Sequence, residues 1–184
     1  RDGTLIIEPP VTYQIDNLEQ LEFLPGVFRN LYYIRHYLDF EFVLVTNQDG
    51  LGTASFPYED FILPHNKFLQ AFKNEGVEFD NILIDKSMPD ENAPTRKPRT
   101  GMLTAYLNDD YDLSSSFVIG DRITDIELAK NLGARGILVN GIEMAGVLKS
   151  EGLTDYCDLI TRDWNEIWNF LRSNNRKVSL SRKT

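Results

Sequence analysis

The sequence predicts an α/β domain: a doubly wound, mostly parallel sheet with helices on both faces and little or no cap. Three observations carry this. Short apolar runs rich in β-branched and aromatic residues alternate with stretches whose apolar residues recur at three- and four-residue spacing. Strand–helix alternation of this kind buries both faces of a sheet, which calls for parallel strands joined by crossover helices. Polar clusters also recur beyond the strand candidates, on the edge where right-handed crossovers collect the strand C-termini.

The elements follow in order. Leu5-Ile6-Ile7 reads as the end of a strand whose beginning is absent. Pro25-Gly26 opens a helix with Val27, Leu31, Ile34 and Leu38 on one face. Phe40 to Val45 is a buried strand that runs into Thr46-Asn47-Gln48. A helix follows around Phe61 to Phe72, and Pro64 is expected to split it. Phe79 to Ile84 is the next strand, and a polar loop from Lys86 to Pro98 separates it from a helix near Gly101 to Leu107. Ser116 to Ile119 is a strand, Thr124 to Leu132 a helix, and Gly136 to Val139 a strand. Trp164, Ile167, Trp168 and Leu171 mark a final amphipathic helix. The domain is expected over residues 1–172. Residues 173–184, rich in Lys, Arg and Ser, are expected to form a linker.

Composition removes several function classes. At 42% hydrophobic and 26% charged residues, the chain is neither disordered nor fibrous. Asp and Glu number 28 against 19 Lys and Arg, a net charge of -9, which argues against binding nucleic acid or an anionic membrane. Any phosphate must be held locally, by a metal or a few placed donors. The longest apolar runs, Leu31 to Ile34 and Phe42 to Val45, fall far short of the roughly 20 residues that span a bilayer. The single cysteine, Cys157, excludes a disulfide framework and suits a reducing, cytoplasmic setting.

Four clusters carry the chemistry: Asp2-Gly3-Thr4, Thr46-Asn47, Arg96-Lys97-Pro98, and Gly120 to Asp125 with Asp121 and Asp125. Carboxylates with water are the ligand set for Mg²⁺. A lysine with a hydroxyl and an amide holds phosphate oxygens. Together they point to metal-assisted phosphoryl transfer, in which positioning and charge neutralisation dominate. Each cluster alone has a plainer reading: a turn for Asp2-Gly3, a helix cap for Thr46-Asn47, an N-cap for Asp121. The set, in order along one rim, is what carries weight.

In that order the four clusters resemble the motifs of the haloacid dehalogenase-type phosphatases. Glu8-Pro9-Pro10, Leu24 to Val27, Thr46 to Thr53, Ser55-Phe56-Pro57 and Pro64-His65-Asn66 resemble one subfamily, the histidinol-phosphate phosphatase half of bifunctional histidine-biosynthesis enzymes. The resemblance implies a Mg²⁺-dependent phosphomonoesterase acting on L-histidinol phosphate, a small-molecule substrate. It implies that the tail after Arg176 leads into a fused dehydratase domain. Asp2 would be the general acid and base and, through its carbonyl, a metal ligand. Thr46 and the Asn47 N–H would hold the phosphoryl group, Lys97 would neutralise it, Asp121 would bind the metal, and Asp125 would orient that shell or Lys97. Glu8, Gln48 and Asp49 would face the leaving group, and His65 lies near them. The family's nucleophilic aspartate would precede Arg1, and the expectation is an omitted segment ending in that aspartate or a chemically modified form of it. Many subfamily members carry a zinc loop ahead of Arg-Lys-Pro; Asp85, Ser87, Ala93 and Thr95 stand at its ligand positions here, so no zinc is expected. Two other readings stay open: a heptose-bisphosphate or other sugar-phosphate phosphatase, and an inactive scaffold domain with the same fold.

Overall fold

The computed structural model describes residues 1–175. The elements are α1 (Val27–Tyr37), β1 (Val43–Asn47), α2 (Tyr58–Asn74), β2 (Asn81–Asp85), β3 (Phe117–Gly120), α3 (Ile123–Leu132), β4 (Arg135–Leu138), α4 (Ala145–Ser150), β5 (Cys157–Ile160) and α5 (Trp164–Asn175). All strand pairing among the named strands is parallel, in two pieces: β1 with β2, and β3-β4-β5. Strand side chains alternate between two helical layers. Leu44, Ile82, Phe117, Ile119 and Ile137 pack with α1, α2 and α5. Val43, Val45, Leu83 and Val118 face Leu103, Tyr106 and the α3 residues Leu128 and Leu132. The doubly wound arrangement expected from the sequence is therefore present.

The two sheet pieces face each other across a cavity of about 1350 Å³. Every residue of β1 and of β3 lines it, together with Leu31, Leu128 and Trp164. Each of these strands is paired on one side only, so their open edges look into this space.

Several local expectations are corrected. Leu5–Ile7 is not a strand end: Gly3 turns the chain at φ 68°, and the Leu5 N–H returns to the Arg1 carbonyl at 2.9 Å. Only Ile6 makes bridges, to Asp2 and to Phe23. Pro64 does not split α2, which runs through it. The proline costs about 3 kcal/mol, whereas burying Phe61, Phe68 and Phe72 contributes roughly 1.5–3 kcal/mol each. The expected helix near 101–107 is a 3-10 helix, Gly101–Tyr106. The first sheet strand starts at Val43 rather than Phe40, because its register is set by the pairing that ends at Asn47 opposite Asp85. α5 extends past residue 172 to Asn175, and from residue 176 on the expected linker lies outside the described residues. No helix among the described residues is long and apolar enough to cross a membrane.

Candidate active site

Strand termini deliver most of the polar groups. Thr46 and Asn47 end β1, and β3 ends at Gly120, immediately before Asp121. The Asp2-Gly3-Thr4 turn is tied to α5 by the Trp164 indole N–H, which donates to the Thr4 carbonyl at 3.1 Å. Lys97 arrives on the long loop after β2 and is fixed by Asn47 on both sides. The Lys97 N–H donates to Asn47 Oδ1 at 3.1 Å, and Asn47 Nδ2 donates to the Lys97 carbonyl at 3.3 Å.

Lys97 Nζ then reaches across to the other sheet piece and donates to Asp125 Oδ1 at 2.7 Å. Asp125 is buried, and its second oxygen accepts the Arg122 N–H at 3.1 Å, capping α3. Burial pushes the Asp125 carboxyl upward, but Lys97 and these hydrogen bonds outweigh it and hold it below the ordinary range. Arg122, not Asp121, is the N-cap residue of α3.

Asp121 has less compensation. Its Oδ1 accepts the Thr4 hydroxyl at 2.9 Å, and the nearest guanidinium, Arg122 Nε, stands 3.9 Å away. Burial, and then the neighbouring Asp125 charge, raise its carboxyl above the ordinary value. An electron-rich, incompletely paired carboxylate pressed against the Asp2-Gly3 backbone fits a hard cation. Among the described residues no group of three or more His, Cys, Asp or Glu forms a ready-made metal cage. An ion held by Asp121 and the Asp2 carbonyl would complete its shell with phosphate and water.

Asp2 is locked by two donors. Arg1 Nε donates to Oδ1 at 3.0 Å and Gln48 Nε2 to Oδ2 at 2.7 Å. Gln48 is buried, and the same amide donates to the Thr46 hydroxyl at 2.9 Å. Gln48 thus bridges Asp2 and Thr46. Asp49 makes a two-pronged ion pair with Arg96, at 2.6 and 3.0 Å. Glu8 pairs with Arg122 at 2.7 Å, and burial raises its carboxyl despite that partner. His65 lies beneath, stacked between Phe61 and Phe68, with no partner for Nδ1.

Asp2, Glu8, Thr46, Asn47, Gln48, Asp49, Lys97, Asp121 and Asp125 all line the cavity between the two sheet pieces. Arg1, which braces Asp2 and lies 5.1 Å over the Phe61 ring, has no place in the sequence reading. Its only signal was its position beside a motif acid. At the zinc-loop positions, Ser87 and Thr95 both donate to Asp85, and the Ala93 carbonyl accepts from the Arg96 N–H and the Arg99 guanidinium.

Residues 94–160 match the HAD-hydrolase-like family model. A solved structure, the D,D-heptose 1,7-bisphosphate phosphatase of B. bronchiseptica with magnesium and phosphate, superimposes with a TM-score of 0.79, covering 95% of this chain and 96% of that one at 24% identity. The fold is that of the haloacid dehalogenase-type (HAD) hydrolases. Curated relatives include histidine biosynthesis bifunctional protein HisB of Bacteroides fragilis, 59% identical over 100% of the chain and 49% of that protein. HisB of Spirosoma linguale is 46% identical over 100% of the chain and 50% of its own length. The chain spans about half the length of these relatives.

Proposed function

We propose that this chain is the phosphatase part of a bifunctional histidine-biosynthesis enzyme: a cytoplasmic, Mg²⁺-dependent phosphomonoesterase that hydrolyses L-histidinol phosphate and is fused to a dehydratase domain. The observation that carries this is the convergence of Asp2, Thr46, Lys97, Asp121 and Asp125 on one cavity rim, in a chain that matches HisB proteins along its whole length.

Each group has a task in this reading. Thr46 and the Asn47 N–H orient the phosphoryl oxygens, and Lys97 neutralises their charge while Asp125 holds its amine in place. Asp2, fixed by Arg1 and Gln48, gives its proton to the leaving alkoxide and later takes one from the attacking water. Asp121 and the Asp2 carbonyl would hold Mg²⁺, which supplies charge neutralisation and orientation when bound. The nucleophile is a carboxylate at the end of a strand lying between β1 and β3, ahead of Arg1. Two open parallel edges facing one cavity support that placement.

The test is a phosphatase panel with and without Mg²⁺, on a chain that includes the segment ahead of Arg1. Mg²⁺-dependent turnover with preference for L-histidinol phosphate supports the proposal. Preference for a heptose bisphosphate would move the substrate to sugars, and inertness on every ester would leave a scaffold domain.

A further inference from the structure

Asp85 and Asp125 are the buried carboxylates among the described residues, and the mechanism above uses only Asp125. Asp85 ends β2 directly opposite Asn47, and its carbonyl accepts the Gln48 N–H at 2.7 Å. Its side chain turns the other way, into the loop that carries Lys97. Oδ1 accepts the Ser87 N–H at 3.0 Å and the Ser87 hydroxyl, while Oδ2 accepts the Thr95 hydroxyl at 2.5 Å. Burial pushes this carboxyl up, but the Ser87 and Thr95 hydrogen bonds prevail and hold it below the ordinary value. It is therefore ionised and acceptor-only near neutrality, which is what three donors require.

The loop's two ends meet on this one carboxylate. Beyond Ser87 the chain passes through the 3-10 helix Pro89–Glu91 and returns at Thr95. The next residue, Arg96, donates to the Ser87 carbonyl at 2.8 Å as well as to Asp49, so it fastens the same closure from outside. Lys97 follows at once, already bound to Asn47. A loop of this length could otherwise sample many conformations, and each would carry the lysine off the rim.

We infer that Asp85 is a positioning residue: its carboxylate clasps Ser87 and Thr95, closes the 86–95 loop without a metal ion, and thereby places Arg96 and Lys97 at the active site. This rests on the phosphatase reading for its catalytic consequence and on geometry alone for the closure. Ser87 and Thr95 are the hands of the clasp, and their hydrogen bonds go to Asp85 and Arg96 rather than to Thr46 or Asn47.

Thr95 is exposed, so Thr95→Val removes one hydrogen bond without disturbing the core. In the full chain it should lower kcat about tenfold at saturating substrate and Mg²⁺ while changing KM less than threefold, the size of effect seen when the support of a catalytic group is cut. Thr95→Ser should restore kcat to within twofold of wild type. Equal impairment of both variants, or none in Thr95→Val, overturns the inference. Amide exchange in the loop separates the clasp from the activity assignment. Thr95→Val should speed exchange at Ser87 at least tenfold, even if no tested ester is a substrate. Treating the wild-type chain with 1,10-phenanthroline, which binds transition metals in preference to Mg²⁺, should leave that exchange unchanged. Faster exchange on chelation would show that a metal closes the loop and would refute the clasp.

Discussion

Gly3 stands between the acid Asp2 and Thr4 at φ 68°, and a Cβ there would lie 2.3 Å from Asp121 Oδ2 and 2.4 Å from its Cγ. Gly3→Ala therefore meets two penalties. The left-handed backbone costs an alanine about 1–2 kcal/mol. The Asp121 carboxylate must also retreat by about 1 Å to reach ordinary contact, 3.4 Å or more, and that breaks its 2.9 Å bond from Thr4. Losing a hydrogen bond to a charged group costs about 1.5–3 kcal/mol. Gly133 separates the two penalties. It has the same φ, 68°, at the end of α3, and nothing lies within 4 Å of its Cβ position. Gly133→Ala should thus lose only about 1–2 kcal/mol, and Gly3→Ala about 1.5–3 kcal/mol more, by urea unfolding. A 1 Å displacement at a reacting centre costs on the order of 100-fold in rate. Turnover and the Mg²⁺ concentration for half activity should shift in Gly3→Ala alone. Equal stability losses in both variants, with activity intact in Gly3→Ala, would refute the placement of Asp121 against the Asp2-Gly3 backbone.

Other outcomes follow from the same geometry. Lys97→Met should abolish turnover and cost about 3–5 kcal/mol, since it strands Asp125 as a buried charge; adding Asp125→Leu should recover much of the stability and none of the activity in parallel unfolding and rate assays. Burial, aided by the Arg1 charge, lowers His65 from 6.5 to about 4. The unfolded chain therefore binds the proton first, so stability is whole above pH 6.5 and falls by about 3 kcal/mol on going down to pH 4. A His65→Phe variant, measured by urea unfolding across that window, should lack this share of the loss. Glu8→Ala should raise KM for L-histidinol phosphate severalfold and spare an aryl phosphate, as steady-state kinetics on both esters would show; equal effects would remove Glu8 from the substrate pocket.

Helices were legible where burial follows a single stripe. Val27, Leu31 and Ile34 of α1, and Trp164, Ile167 and Leu171 of α5, are buried as their spacing predicts. β5 escaped because it is an edge strand, with one pairing partner and a charged Asp158 ion-paired to Arg135 in place of an apolar run. α4 escaped because only Leu148 of its short span is buried. The turn at Leu5–Ile7 was misread because local apolar content reads the same in a strand and in a buried turn. Tertiary context decided it, through the Ile7 N–H to the Glu22 carbonyl and the Leu24 N–H to the Leu5 carbonyl. At the site, motif order named Asp2, Thr46, Lys97, Asp121 and Asp125, and the fold brings these five to one cavity. The bracing of Asp2 by Arg1 and Gln48 was not legible. Amide and guanidinium donors carry no spacing rule, and only the fold reveals which carboxylate they meet.

The Lys97–Asp125 contact joins a loop that follows β2 to a helix that follows β3, so it spans the seam between the two sheet pieces. The groups assigned roles in the proposed function divide between the two pieces. Thr46, Asn47 and Lys97 belong to one side, and Asp121 and Asp125 to the other. In the proposed reading a strand ahead of Arg1 joins the two pieces, and any substitution that loosens that join should lower turnover before helix content falls as denaturant rises.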